Sequence, residues 1–242
     1  MNKINILEIK VGFNDETNKI YPVIIEGEEE MILVDCGYPN FLSVIEQEAI
    51  IRGIDIKKLS KIIITHHDFD HIGSLAAFKR KYPSIKVMAS IDDAKYINGS
   101  KKSLRLQQAE SIYDFLSEGE KEGAKTFHSI LESVEPCAVD ICVKDKDFFD
   151  CCGGIEIVTT PGHMPGHMSI YIKTNRTLIA GDALVIENNM LAIANTQYTL
   201  DMVAAKESII KLMKYEIDRI ICYHGGLYKN DIKKSLSSII SS

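Results

Sequence analysis

The 242-residue sequence lacks three features that would place it at a membrane, outside the cell or on nucleic acid. No window reaches the roughly 18 apolar residues of a membrane-spanning helix. Residues 1–16 contain neither the apolar core nor the cleavage site of a signal peptide. The net charge is −6, from 34 acidic and 28 basic residues, whereas nucleic-acid binding usually needs a basic face. We therefore expect a cytoplasmic protein without a nucleic-acid or membrane partner.

Signs of a disulfide framework or of a serine nucleophile are also missing. The six cysteines occur without an export signal and are expected to be reduced thiols. Cys151 and Cys152 are neighbours and cannot readily bridge each other. The G-x-S-x-G turn that positions the serine of many hydrolases does not occur. A hydrophobic fraction of 45% with 26% charged residues indicates a soluble protein with a substantial core.

Two series of strands, each followed by a helix, indicate the fold class. Short apolar runs in residues 4–35 precede a helical pattern at 41–53. Strand patterns return between residues 139 and 182 and precede a helical pattern at 199–215, for which Thr199 is the expected N-cap. This order predicts an α/β (α+β) chain in which two mixed sheets pack face to face with helices outside.

Residues 92–135 differ from the rest of the chain because they are polar, helical in pattern and free of strand signals. We predict one domain over residues 1–242, with a helical cap inserted at about 92–135. The cap is expected to form the roof of a pocket and to determine its specificity.

The segment THHDFDHIG follows an apolar strand and concentrates side chains that bind metals. A strand fixes where the next loop begins, which suits a metal site. His66 and Asp68 are two residues apart, so in an extended segment they point to the same side. Asp70 and His71 are consecutive and diverge, which suits a second ion beside the first. Gly73 is expected to let the backbone turn into the following helix.

Ligand-type side chains recur at three later strand ends, each beside a glycine. The segment TTPGHMPGHMS presents His163 and His167. LIAGDAL presents Asp182, and ICYHGGL presents His224. His167 is expected to form hydrogen bonds within its turn. The other residues of both groups supply four imidazoles and three carboxylates, enough for two metal ions with positions left open for water.

The ordered segments LVDCG, THHDFDHIG, PGHMPGH, GD and YHGG resemble the motifs of the metallo-β-lactamase-fold hydrolase superfamily. The match covers nearly the whole chain apart from the cap. The resemblance implies a four-layer αββα sandwich with a metal site at one edge of the two sheets. The metal ligands that it implies are His66, Asp68 and His163 for one ion, Asp70, His71 and His224 for the other, and Asp182 between them.

Asp68 is where the sequence departs from the family motif H-x-H-x-D-H, because it stands at the second histidine. Flavodiiron relatives in the superfamily also carry a carboxylate there. A carboxylate makes the site harder and more anionic, which shifts its preference from zinc toward manganese or iron, although zinc can still bind. Alternatively, Asp68 is too short to reach the ion, and one metal is lost or weakly held. His67 is expected to point away from the metals.

A pair of metal ions predicts hydrolysis by a metal-bridging hydroxide. Asp70 or Asp182 would take or relay the proton. The predicted reaction is hydrolysis of a small-molecule ester, thioester or lactone, with Tyr198 as a candidate substrate contact. Two alternatives stay open: a phosphodiesterase with the same bimetallic centre, and a non-catalytic metal-binding sensor or redox diiron-type protein.

Overall fold

A computed structural model describes residues 2–13 and 16–241 of the protein. Its strands are β1 (Lys3–Ile6), β2 (Ile9–Phe13), β3 (Glu16–Ile20), β4 (Val23–Glu26), β5 (Met31–Val34), β6 (Leu59–Ile63), β7 (Lys86–Ser90), β8 (Ile141–Val143), β9 (Phe148–Phe149), β10 (Ile155–Thr159), β11 (Met168–Ile172), β12 (Thr177–Gly181), β13 (Val185–Glu187), β14 (Met190–Ala192), β15 (Arg219–Cys222) and β16 (Gly226–Tyr228). In the described residues they form two six-stranded mixed sheets, ordered β1-β4-β5-β6-β7-β8 and β16-β15-β12-β11-β10-β9. β2 pairs with β3, and β13 with β14.

Eight α-helices occur in the described residues, and four of them cover the outer faces of the two sheets. The eight are α1 (Leu42–Ile51), α2 (Phe69–Ile72), α3 (Leu75–Lys81), α4 (Ala94–Ile97), α5 (Leu104–Tyr113), α6 (Glu118–Glu132), α7 (Met202–Leu212) and α8 (Ile232–Ser241), with 3-10 turns at Ile56–Lys58 and Lys173–Asn175. α1 and α3 pack on the first sheet, and α7 and α8 on the second. Among the helices described, none has the length and apolar character needed to cross a bilayer.

The apolar run around β6 shows why the chain forms buried sheets. Ile62 and Ile64 pack in the core beneath α1 and α3, whereas Ile63 packs in the core between the sheets. Successive side chains of a strand point to opposite faces, so a strand buried on both faces needs an uninterrupted apolar run. The predicted four-layer αββα sandwich is confirmed.

Helices α5 and α6 form a hairpin within the segment predicted to be a cap. Their small core contains Leu106, Ala109 and Leu131, and Phe69 and Phe127 pack against it. Because Phe69 is the first residue of α2, the hairpin packs directly on the segment that follows β6. This contact brings a polar, surface-like stretch of sequence next to the histidine-rich motif.

The N-cap prediction for α7 was wrong by two residues. Asp201 is the N-cap, and its Oδ1 accepts hydrogen bonds from the backbone N–H groups of Val203 and Ala204, each at 2.9 Å. Thr199 is buried instead, with its hydroxyl donating to the carbonyl of Ala194. Aspartate is the better cap because its carboxylate satisfies two free N–H groups and adds negative charge at the helix start.

Gly73 serves a close approach of two segments, not the unusual backbone turn expected from the sequence. Its φ of −55° and ψ of −33° are ordinary for any residue. A Cβ at this position would lie 2.2 Å from the nitrogen of Pro39 and 2.3 Å from the carbonyl carbon of Tyr38. The absent side chain therefore lets the segment after β5 pack against α2.

Candidate metal centre

The seven predicted metal-ligand side chains converge at one edge of the sandwich, where strands of both sheets end. The loop after β6 carries His66 and Asp68, and α2 carries Asp70 and His71. The other three come from the second sheet: His163 after β10, Asp182 after β12 and His224 after β15. The fold therefore brings together residues that are distant in sequence, from His66 to His224.

His66, Asp68 and His163 form a first group, in which one ligand atom of each lies within 4.8 Å of the others. Asp68 Oδ2 is 3.1 Å from His163 Nε2 and 3.5 Å from His66 Nε2. All three side chains are buried. Ligand atoms sit about 2.0–2.2 Å from a bound zinc ion, so donors at this mutual spacing can surround one cation.

Asp70, His71 and His224 form a second group. Asp70 Oδ2 is 3.2 Å from His224 Nε2 and 3.7 Å from His71 Nε2. Asp182 faces both groups: its Oδ1 is 3.4 Å from His71 Nε2, and its Oδ2 is 3.7 Å from His163 Nε2. Its carboxylate is therefore placed to be shared between two cations.

Unsatisfied buried atoms support a fit to metal ions. His66 Nε2, His71 Nε2 and Asp182 Oδ1 are buried and have no hydrogen-bond partner among the described residues. An unpaired buried polar atom normally costs free energy and is rare in native proteins. A divalent ion bound by these atoms would remove that cost, and imidazole with carboxylate is a suitable donor set.

Nearby carboxylates raise the pKa of two of the imidazoles and so favour their protonated forms. Burial alone would lower the pKa of His224, but Asp182 and Asp70 raise it to about 10. Burial likewise opposes protonation of His71, yet Asp182, Asp35 and Asp70 raise its pKa well above the usual range. A metal ion must displace these protons, so metal affinity is expected to rise with pH.

Asp35, the aspartate of LVDCG, orients His71, a role that the sequence analysis did not assign. Its Oδ2 is 2.9 Å from His71 Nδ1 and accepts a hydrogen bond from the hydroxyl of Thr65, while its Oδ1 accepts one from the backbone N–H of Thr65. A proton on Nδ1 leaves the Nε2 lone pair free to face the candidate ion. The sequence did carry a signal for this role, because Asp35 is a carboxylate directly after an apolar strand.

Arg105 of α5 was also missed. It is buried, and its Nη2 lies 2.7 Å from Asp68 Oδ2. Burial alone would raise the pKa of Asp68, but the nearby imidazoles of His163 and His66 and the charge of Arg105 hold that pKa well below its usual range. The extra carboxylate at position 68 signalled the need for a cation, but the cap contains several basic residues and spacing did not single one out.

His67 points away from the candidate ligands, as the alternation of an extended segment predicts. Its ring stacks on Tyr96 at 4.3 Å, with 15° between the planes. Its Nδ1 lies 2.9 Å from Asp93 Oδ2, and its backbone N–H donates to the same oxygen. His67 thus contacts the start of α4 and holds the THHDFDHIG segment against the cap.

His167 reaches beyond the turn in which its hydrogen bonds were expected. Its Nε2 accepts from the backbone N–H of Asp182 at 2.9 Å. Its Nδ1 therefore carries the proton and donates to the hydroxyl of Thr160, 2.8 Å away. Burial lowers the pKa of His167 to about 3, so a neutral ring fixes the backbone that presents the Asp182 carboxylate.

An open cavity of about 470 Å³ lies over the ligand groups. Asp68, Asp70, Asp182 and His224 are part of its wall. Aromatic and aliphatic side chains also line the cavity. Phe127 comes from the α5–α6 hairpin, and the others come from outside it: Tyr38, Phe69, Val185, Ile186 and Tyr198. The cap thus forms part of the wall, and Tyr198, the candidate substrate contact, lines the same cavity.

Comparison with known proteins gives a consistent family. A model of the metallo-beta-lactamase superfamily matches residues 19–224. The probable metallo-hydrolase YflN of Bacillus subtilis (strain 168) is 26% identical over 226 residues, which are 88% of this chain and 83% of YflN. The uncharacterized protein YobT of the same organism is 28% identical over 208 residues, covering 83% of this chain and 80% of YobT.

Solved structures show the same fold. The metallo-beta-lactamase family protein TTHA1429 from Thermus thermophilus gives a TM-score of 0.76 at 19% identity, over 98% of this chain and 78% of TTHA1429. The superfamily protein ST1585 from Sulfolobus tokodaii gives 0.69 at 21% identity, over 98% of this chain and 84% of ST1585. At these identities the likeness concerns the fold alone.

Proposed function

This chain belongs to the metallo-beta-lactamase superfamily, and we propose that it hydrolyses a small-molecule ester, thioester or lactone with the help of two divalent metal ions. The relative YflN is a probable metallo-hydrolase, which supports the reaction class. The proposed ligands are His66, Asp68 and His163 for the first ion, Asp70, His71 and His224 for the second, and Asp182 for both.

The chemistry divides between the ions and the carboxylates beside them. Two divalent ions bound here would polarise the scissile group and lower the pKa of a water molecule toward neutrality. Asp70 and Asp182 both line the cavity, which supports them as the proposed proton acceptors of the reaction. His167 and Asp35 hold Asp182 and His71 in place through the hydrogen bonds described above.

The charge of the cavity wall is the observation that favours an uncharged acyl substrate. Among the described residues of the wall, Arg105 is the one lysine or arginine. Its guanidinium is already bound to Asp68 and to the carbonyl oxygen of Tyr198. Two bound ions would offset the charge of the three aspartates, but beyond them the wall offers a phosphodiester one further carboxylate, Glu187, and no free basic side chain.

A side groove in the cap suits an apolar substituent of the substrate. It has a volume of about 210 Å³ and shares Arg105, Phe127 and Tyr198 with the main cavity. Its aliphatic lining comes from α5, α6 and the loop between them: Ala109, Ile112, Leu116 and Ala124. We propose that an acyl or alkyl chain attached to the scissile group lies in this groove.

A substrate panel tests the proposed reaction. p-Nitrophenyl esters, a thioester, a lactone and bis(p-nitrophenyl) phosphate are incubated with protein loaded with zinc, manganese or iron(II). With at least one metal, kcat/KM for the best acyl substrate is expected to exceed that for the phosphodiester by about 100-fold or more, because the wall discriminates against charge.

Two results would contradict the proposal. Faster cleavage of the phosphodiester in every metal form would assign the centre to phosphoryl transfer. Metal binding without turnover of any substrate would assign the protein to the non-catalytic alternative. Chelator-treated protein is the control, since its activity should vanish and return on adding metal.

The dependence of KM on the length of the substrate's acyl chain tests whether that chain lies in the groove. Ala124 is half-buried at its wall, whereas its neighbour Lys125 is exposed on the same helix. Ala124→Phe should raise KM for a decanoyl ester by about 10-fold, because the ring would occupy the groove, and should leave the acetyl ester unchanged. Lys125→Phe should change neither substrate. Equal effects of Ala124→Phe on both esters would show that the acyl chain lies elsewhere.

A further inference from the structure

Arg105 of the cap and Asp68 of the THHDFDHIG segment form a buried ion pair with two hydrogen bonds. Arg105 is 3% exposed, and its Nη2 and Nε lie 2.7 and 3.2 Å from Oδ2 and Oδ1 of Asp68. Such two-point contacts between guanidinium and carboxylate are directional and strong. The same guanidinium donates to Gln108 Oε1 at 2.6 Å and to the Tyr198 carbonyl at 2.8 Å. Arg105 is therefore fixed from three sides.

Arg105 cancels the negative charge that the carboxylate at position 68 adds to the first ligand group. An aspartate in place of a neutral imidazole adds one negative charge to the first ligand group, and the adjacent guanidinium cancels it. The pairing does not turn the carboxylate away from the centre. Asp68 Oδ2, while bound to Arg105, still lies 3.1 Å from His163 Nε2 and 3.5 Å from His66 Nε2. A carboxylate oxygen has two lone pairs, so Oδ2 can accept from Arg105 and also bind a metal ion.

We propose that Asp68 and Arg105 act as one unit that takes the place of the family's second histidine. Asp68 Oδ2 supplies the ligand atom, and Arg105 supplies the compensating charge and holds that oxygen in position. Arg105 is thus a positioning residue that acts through Asp68. The inference rests on the proposed metal site, and it revises the expectation that Asp68 makes the site more anionic: the harder oxygen donor stays, but the added charge is neutralised.

A double-mutant cycle tests the unit. The variants are Arg105→Met, Asp68→His and the double variant, with zinc content at fixed free zinc and the melting temperatures of metal-free and zinc-loaded protein as readouts. Asp68→His alone restores an imidazole but leaves a buried guanidinium without its anion beside the cation. It should therefore weaken the first zinc by about 10- to 100-fold.

The other two variants should behave differently. Arg105→Met leaves Asp68 as an unpaired buried anion, which lowers the Tm of the metal-free protein, and zinc should then raise Tm by more than it does in the wild type. The double variant should bind zinc within about threefold of the wild type, since it has a neutral ligand and no stranded charge. Lys102→Met is the matched control, because Lys102 pairs with Glu110 on the exposed side of the cap.

Each outcome decides the matter. If Asp68→His binds zinc as well as the double variant, Arg105 does not act through Asp68 and the proposal is wrong. If Arg105→Met shows the wild-type rise of Tm on zinc binding, the pair only attaches the cap. Should Asp68→His not fold, that Tm comparison still decides. A wild-type protein that binds no metal would instead overturn the proposed function itself.

Discussion

Replacing Asp182 by alanine is expected to lower kcat/KM by about 1,000-fold or more and to reduce the bound metal from two ions toward one or none. Asp182 is the carboxylate that faces both ligand groups, with His71 Nε2 of the second group at 3.4 Å from Oδ1 and His163 Nε2 of the first group at 3.7 Å from Oδ2. A shared ligand contributes to both ions, and loss of metal-assisted catalysis costs several kcal/mol of transition-state stabilisation. Metal analysis and steady-state kinetics on one preparation measure both effects.

His67→Ala is the control for the Asp182 variant. It also truncates a buried side chain at this edge of the sandwich, but that chain faces Asp93 and Tyr96. We expect it to lower Tm while metal content stays near that of the wild type. Two bound ions and wild-type rates in Asp182→Ala would remove Asp182 from the centre. An ion lost only in His67→Ala would show that the wrong neighbours had been assigned.

The sandwich could be predicted from the sequence because its signals are local. The run from Ile62 to Ile64 is apolar at every position, as a strand buried on both faces must be. The ligand-type side chains were recognisable for a related reason. They stand beside glycines at strand ends, and the resemblance of these ordered motifs to the metallo-β-lactamase superfamily implied that they lie together in one site.

Arg105 and Asp35 could not be assigned in this way because their roles depend on tertiary contacts. Arg105 lies 37 residues from Asp68 and reaches it only because the α5–α6 hairpin packs on Phe69. No periodicity within the cap distinguishes this arginine from the basic residues exposed around it. Asp35 lies 36 residues from His71, and the two meet because β5 and β6 are parallel neighbours. The same dependence on packing explains why the close approach at Gly73 was not foreseen.

Asp35→Asn is expected to weaken metal binding at the second group by about 10- to 100-fold, although Asp35 contacts no candidate ion. Asp35 accepts from His71 Nδ1 and from both the hydroxyl and the backbone N–H of Thr65. An asparagine has one acceptor oxygen. If its NH₂ faces His71, the proton must move to Nε2, and the lone pair is lost to the metal. If the NH₂ faces Thr65 instead, it opposes the backbone N–H.

Zinc affinity measured by competition with a chromophoric chelator tests this expectation, with Asp140→Asn as the matched variant. Asp140 also accepts a backbone N–H, from Val87, and a side-chain donor, Lys79, each at 2.8 Å, but it lies away from the centre. Asp140→Asn should reduce Tm and leave zinc affinity unchanged. If Asp35→Asn binds zinc as tightly as the wild type, His71 does not depend on this carboxylate for its orientation. A loss of affinity confined to Asp35→Asn would locate the effect in the imidazole's proton, since both variants remove a hydrogen-bonded negative charge beside the same sheet.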